Sequence, residues 1–343
     1  MRRPRAWYGR VRWLLLLLML AAALSAAAWF GWRDYHRFAE FPLGSGERVV
    51  NFQRGMRLKD LAAQLQQEGI SQAPYWQWRL LAEQMGVAKK LKAGEYQISQ
   101  QASARALLQA IADGRVVQYR LTVIEGSRFS DLRLALTRLP ELDQTITGLA
   151  DAEVLKRLGA TEVHAEGLFL PDTYFFPRGF SDLELLKRAY WAQKKLLEQA
   201  WGARAPDLPI ADQYQALILA SIIEKETGRA DERPQIAGVF VNRLRQGWRL
   251  QTDPTVIYGL GAAYDGNIRR ADLEADTPYN TYTRFGLPPT PIALPGKAAI
   301  MASTKPMATP AMYFVARGDG SHVFSASLDE HNAAVRKFQL MQP

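Results

Sequence analysis

Asp212-Gln213-Tyr214-Gln215-Ala216-Leu217-Ile218-Leu219-Ala220-Ser221-Ile222-Ile223-Glu224-Lys225-Glu226-Thr227-Gly228 is the stretch around which the chain is organised. Asp212 with Gln215 has the form of a capping box, Pro209 precedes it and Gly228 offers a stop, so the pattern predicts one helix of roughly sixteen residues. Tyr214, Ala216 to Ala220, Ile222 and Ile223 leave almost no polar face, as expected of a helix buried on nearly all sides. Its last turn carries Glu224, Lys225 and Glu226. Carboxylates there oppose the helix dipole, and burial makes their ionisation harder still. At about 100° per residue Glu226 falls between Leu219, Ile222 and Ile223, and Glu224 beside Ala216, Leu217 and Ala220. Glu226 is therefore the better candidate for a carboxyl whose pKa is raised, so that it keeps its proton near neutral pH and acts as a general acid. The plainer alternative is a helix end that emerges into water, with Glu-Lys-Glu as a wetted terminus.

Downstream, Arg233 to Gln246 reads as a helix opened by Pro234 and stopped by Gly247, with Ile236, Val239, Phe240 and Leu244 on one face. Leu250-Gln251-Thr252-Asp253-Pro254-Thr255 follows, then an irregular stretch from Pro278 to Gly296 with five prolines, long enough to be functional. Tyr279, Asn280, Tyr282 and Thr283 combine aromatic faces with amide and hydroxyl groups, as sugar sites do, although Asn280 and its neighbours would equally serve the loop backbone. Met312 to Arg317 and His322 to Ser327 read as strands of a hairpin turning at Gly318-Asp319-Gly320-Ser321, and Ser327 with Glu330 makes a capping box for a last helix.

Upstream, Gly55-Met56-Arg57-Leu58-Lys59-Asp60-Leu61 and Gly126-Ser127-Arg128-Phe129-Ser130-Asp131-Leu132 share the pattern G-x-R-apolar-x-D-L. Each follows a β-like run, Val49 to Phe52 and Leu121 to Ile124, so a strand-turn-helix unit is used twice. Tyr75 to Met85 and Ser103 to Ala112 look helical and Gly94 to Ile98 extended. Residues 46–118 thus form a small αβ module that resembles the LysM-like wall-binding modules, a mere spacer being the alternative, and 119–343 a larger mixed domain. The class is α+β.

From Trp13 to Trp32 no side chain ionises, and twenty residues at about 1.5 Å each span ~30 Å, the thickness of a bilayer core. Tryptophans 7, 13, 29 and 32 bracket the run, and Arg2, Arg3, Arg5, Arg10 and Arg12 precede it without an acid. A retained membrane helix over 13–32 is expected, with residues 1–12 cytoplasmic, 33–45 a linker and the body on the periplasmic side of the inner membrane. Ala26-Ala27-Ala28 offers a signal-peptide cut, but the apolar run exceeds the usual ~7–15 residues of a signal core.

The chain has no cysteine, so disulfides and thiolate chemistry are excluded. His36, His164, His322 and His331 form no ligand-spaced pair, and neither metal nor cofactor is expected. Net charge is +9, of which the leading arginines supply five, a moderately basic body that suits an anionic polymer or membrane surface; nucleic acid is not expected as a partner.

Ala220 to Thr227, Leu250 to Gly259, Tyr279-Asn280-Thr281-Tyr282-Thr283, the tail from Tyr313-Phe314-Val315 through His322 to Glu330-His331-Asn332, and Glu166-Gly167-Leu168-Phe169-Leu170-Pro171-Asp172-Thr173-Tyr174 together carry a resemblance. They resemble the YceG-like endolytic murein transglycosylases, the MltG family, in consistent order along the chain. Thr290 and Leu294 depart from the Gly and Asn frequent there in that family. The resemblance implies cleavage between N-acetylmuramic acid and N-acetylglucosamine within peptidoglycan strands, leaving 1,6-anhydro ends. It makes Glu226 the single acid/base, glycan strands the partner, and peptidoglycan synthases (penicillin-binding proteins) candidate partners in the membrane. Glu224, Gln251, Thr252, Asp253, Asn280, Tyr282 and His322 are the expected substrate-binding or supporting residues. Two other classes stay open. A muramidase-type hydrolase would need a second carboxylate near Glu226, from Glu166, Asp172 or Asp253, and a non-catalytic wall tether would need no buried acid.

Overall fold

The computed structural model describes residues 5–44 and 46–340; Arg2, Arg3 and Ser45, used above for orientation and linker, lie outside them. Two compact units result, Met1–Tyr119 and Arg120–Pro343.

The first unit contains α1 (Arg5–Glu40), β1 (Arg48–Phe52), α2 (Leu58–Gln67), α3 (Tyr75–Gln84), β2 (Gly94–Ile98) and α4 (Ala104–Asp113). Val11–Glu40 of α1 is long and apolar enough to cross a membrane. The residues expected as a linker behave differently. Arg33, Asp34, His36 and Arg37 end the apolar run but not the helix, which continues to Glu40 because its end has a core to join. Ala39 is buried, the Phe38 ring meets Trp78 edge-on at 4.9 Å, and Arg105 pairs with Glu40 at 2.7 Å. β1 and β2 are antiparallel, Arg48 opposite Ile98 and Phe52 opposite Gly94, which puts Val50, Phe52, Tyr96 and Ile98 on one buried face. Leu61 and Leu65 of α2, Trp78 and Leu81 of α3, and Leu107, Leu108 and Ile111 of α4 complete that core. Each such side chain contributes about 1.5–3 kcal/mol by leaving water.

The boundary falls within β3 (Tyr119–Thr122), and the second unit goes on with α5 (Phe129–Thr137), β4 (Leu142–Asp143), α6 (Asp151–Leu158), β5 (Thr173–Phe176) and β6 (Phe180–Ser181). It continues with α7 (Asp182–Gly202), α8 (Gln213–Glu226), α9 (Arg233–Arg245), α10 (Asp253–Leu260), α11 (Arg270–Glu274) and α12 (Lys297–Thr304). β7 (Tyr313–Ala316), β8 (His322–Ser325) and α13 (Leu328–Val335) close it. Its strands form three two-stranded sheets among the described residues, β3 with β5, β4 with β6 and β7 with β8.

The repeated motif has a physical basis. Gly55 and Gly126 take left-handed φ of 86° and 74° to turn out of the preceding strand. The Asp60 and Asp131 carboxylates then accept the backbone N–H of Arg57 and Arg128 at 2.8 and 2.9 Å, satisfying a donor at the start of α2 and α5. Leu61 and Leu132 are the next residues to enter the core.

Helix α8 is the centre of this unit, packed by α7, α9, α10 and α12. Asp212 caps it by accepting the Gln215 N–H at 2.8 Å, while the Gln215 side chain reaches back to Ala211 N–H instead of that of Asp212. The helix ends before the expected glycine stop: Thr227 is already extended, with φ −146° and ψ 136°. Glu226 is thus the last helical residue.

Candidate active site

A cavity of about 600 Å³ opens where α8 ends. Glu226 lines it together with Gln251, Thr252 and Asp253 at the start of α10, Tyr282, and Tyr313 and His322 of the β7-β8 hairpin. Glu226 is only partly covered from solvent yet crowded by protein atoms on its other sides, a carboxyl stripped of most hydration while still reachable. Burial raises its pKa to about 7, the Thr252 hydrogen bond opposes the rise, Asp253 adds to it, and His322 and Arg243 oppose it. The Thr252 hydroxyl donates to Glu226 Oε1.

Glu224 is differently placed. Its Oε1 accepts from Arg233 Nη2 at 2.7 Å and its Oε2 from Gly296 N–H at 2.9 Å, at the start of α12. By solvent exposure Glu224 is the more enclosed of the two, at 8%, whereas protein atoms crowd Glu226 more closely, and burial raises both carboxyls. What separates the glutamates is partnership: among the described residues Glu224 has a cation and an amide, Glu226 a single hydroxyl. A Cβ at Gly296 would lie 1.9 Å from the Glu125 carboxyl, so a side chain there would push that half-exposed group aside.

The other expected residues divide into two groups. Gln251, Thr252, Asp253, Tyr282 and His322 gather round Glu226. Tyr282 Oη donates to Asp253 Oδ1 at 2.6 Å, and His322 Nδ1 meets Glu232 Oε2 at 2.7 Å. Gln251 holds a left-handed φ of 51°, a strained backbone for a residue with a side chain, fixed by its N–H on Thr281 O at 3.1 Å. Asn280 does not line the cavity. Its Nδ2 donates to the carbonyls of Asp272, Leu273 and Ala275, and its Oδ1 accepts Tyr282 N–H at 2.8 Å, so it ties the end of α11 to the turn that carries Tyr282.

Of the carboxylates considered as partners for Glu226, only Asp253 lines its cavity. Glu166 faces a separate space of about 380 Å³, accepts Phe129 N–H at 2.9 Å and the Tyr258 hydroxyl at 3.2 Å, and is raised to about 7 by burial. Asp172 accepts the adjacent Thr173 N–H at 2.7 Å, and its carbonyl accepts Val123 N–H. Among the described residues no three His, Asp or Glu side chains gather as a metal site requires.

A family model for the YceG-like family matches residues 50–337. The chain belongs to the YceG-like family. It is 31% identical over 268 residues to the endolytic murein transglycosylase of Bacillus subtilis, covering 73% of this chain and 74% of that one. It is 26% identical over 359 residues to the endolytic murein transglycosylase of Streptococcus pneumoniae, covering 92% of this chain and 63% of that longer relative. A crystal structure of a YceG-like protein from Listeria monocytogenes superposes with a TM-score of 0.52 at 26% identity, over 84% of this chain and 99% of that one.

Several residues that line the cavity of this YceG-like chain were not expected from the sequence, Arg243, His331 and Asn332 among them. Arg243 is buried in α9, donates through Nε to Met312 O at 2.8 Å and lies 5.5 Å from the Tyr313 ring centre. A signal was available, since Arg243 follows Ile236, Val239 and Phe240 at seven, four and three residues and so occupies the core face of its helix. His331 stacks on Tyr313 at 5.1 Å, burial depresses its pKa, and its Nδ1 has no partner among the described residues.

Proposed function

We propose that this chain is an endolytic peptidoglycan lytic transglycosylase that breaks the MurNAc-GlcNAc bond within glycan strands and leaves 1,6-anhydro-MurNAc ends. The observation that carries this reading is Glu226, a carboxyl of pKa about 7 on the wall of an open cavity with one hydroxyl as its partner. Near neutral pH it holds a proton to give the departing glycosidic oxygen as the bond to C1 breaks. As carboxylate it then takes the proton of the sugar's own C6 hydroxyl while O6 bonds to C1. The proton count closes on one residue, and no water enters.

The neighbours have matching tasks. Thr252 orients the acid, Asp253, held by Tyr282, sets negative charge where oxocarbenium character develops, and the Glu232-His322 pair and Arg243 shape the wall. Hydrolysis is the second reading, because Asp253 is a carboxylate in the same cavity and could serve a water. A tether without activity has no use for a carboxyl held near pKa 7. The arginines at 5, 10 and 12 before the apolar span support a cytoplasmic N-terminus in the inner membrane and a body on the periplasmic side, where glycan is found. Residues 46–118 are proposed as a LysM-like, glycan-binding module, and peptidoglycan synthases of the same membrane as partners.

The pH dependence of strand cleavage on isolated sacculi tests the role of Glu226. The active form is the acid, so kcat/KM falls by about tenfold per pH unit once pH rises above about 7, the pKa of Glu226. The Thr252 hydrogen bond favours the carboxylate, so Thr252→Val moves that alkaline limb to higher pH while lowering the plateau. A limb that stays put in Thr252→Val assigns the titration to another group.

A further inference from the structure

α3 buries Gln77, Trp78, Leu81 and Ala82, but leaves Tyr75, Trp76 and Leu80 at 44%, 54% and 39% exposure. Its position relative to α1 gives that uncovered face a destination. The Trp78 ring meets Phe38 at 4.9 Å. One turn nearer the apolar span, Gln77 Nε2 donates to Asp34 Oδ2 at 2.8 Å and Tyr35 Oη to Gln84 Oε1 at 2.5 Å. Gln77 and Gln84 are about 10 Å apart along α3, yet their partners are adjacent in α1, so α3 crosses α1 steeply at the height of Asp34 and Tyr35. Trp32 ends the run without ionisable groups, so the α3 contacts at Asp34, Tyr35 and Phe38 lie about 3–9 Å of helix rise beyond it. The Asp34 and Tyr35 side chains lean toward the helix N-terminus, closer still to the span.

Descending α1 from Phe38 to Asp34 passes round α3 from Trp78 to Gln77. Continuing the same rotation by about 60° and 100° reaches Leu80 and Trp76, which therefore face the membrane side. Lys89 and Lys90, in the loop that follows α3, are exposed, as are Arg33 and Arg37 on α1.

We propose that α3 lies on the bilayer surface, with Trp76 and Leu80 in the headgroup layer and Lys89 and Lys90 against anionic phospholipid phosphates. This rests on α1 being a membrane span. Aromatic rings favour that depth, and an amphipathic helix lying in the plane of the interface is held by apolar burial and cationic attraction together. The module would then be fixed to the membrane at two places, by α1 and by α3, which sets its tilt.

The absence of cysteine makes the test direct. Full-length chains with Trp76→Cys, Leu80→Cys, Leu24→Cys in the apolar span, or Val163→Cys at an 80% exposed site carry one spin label each in nanodiscs containing phosphatidylglycerol. Collision with a water-soluble nickel complex is then measured. Labels at 76 and 80 should collide severalfold less than the label at 163 and more than the label at 24. Equal collision at 76, 80 and 163, with 24 protected, overturns the proposal and leaves the span intact; collision at 24 as well overturns both. The double variant Lys89→Glu/Lys90→Glu should raise collision at 76 and 80, and no rise would overturn the assignment to anionic lipid.

Discussion

Glu226→Gln is expected to abolish most cleavage while leaving the fold intact. The amide keeps the size of the side chain and its acceptor for the Thr252 hydroxyl, but it has no proton to give the leaving oxygen and no base to take one from the C6 hydroxyl. General acid and base terms are each worth about 10²–10⁴-fold, and one residue is proposed to supply both, so kcat should fall by at least that range with KM little changed. Stability should move the other way. Burial raises the folded-state pKa to about 7, so ionising Glu226 costs stability progressively as pH rises from the ordinary carboxyl range through 7. A neutral amide avoids that cost, and the variant should match the parent at pH 4 and exceed it by roughly 1–3 kcal/mol above pH 8. A Glu226→Gln chain that cleaves normally would remove Glu226 from the chemistry.

Arg233→Ala is expected to give the opposite pattern, a large loss of stability with catalysis spared where the protein remains folded. Arg233 and Glu224 form a pair whose side chains are 8% and 3% exposed, and removing the cation leaves Glu224 with one amide donor from Gly296. Burial already raises the Glu224 pKa in the presence of Arg233, so the unpaired carboxylate is costly. Breaking a buried pair from one side typically costs about 3–5 kcal/mol, which for a unit of this size lowers Tm by roughly 10 °C. Glu224→Gln should lose less, since a neutral amide is left instead of a buried charge. Glu224 does not line the Glu226 cavity, so kcat of either variant, measured below its Tm, should stay within a few-fold of the parent. Thermal unfolding read alongside cleavage separates the two glutamates.

Local signals were legible in the sequence where one element determines its own form. The Asp212 cap, the Ser327 cap on α13 and the β7-β8 hairpin are short-range features. The repeated G-x-R-apolar-x-D-L pattern is likewise a complete local instruction, with glycine for the turn, Asp for the first free N–H and Leu for the core. What failed depended on distant residues. The charges after Trp32 look like the start of a linker, and only Trp78 and Arg105, tens of residues away, make helix the better state to Glu40. A helical wheel marked Glu226 as the carboxyl raised by burial, in line with its rise to about 7, but it sees one helix and so gave no sign that Arg233 and Gly296 cover Glu224 from elsewhere. For Asn280 the chemistry left sugar contact and loop support equally open, and only the carbonyls at the end of α11, which take its amide, favour the second.

In the proposed reaction the C6 hydroxyl of the sugar, and not water, captures C1 under the action of Glu226 alone. Digestion of sacculi in water enriched in the heavy oxygen isotope, followed by mass spectrometry of the released fragments, tests it directly. Intramolecular capture predicts anhydro ends that carry no heavy oxygen and resist borohydride reduction. Reducible ends with heavy oxygen at C1 would contradict it and assign the reaction to a hydrolase, with Asp253 the carboxylate nearest to hand.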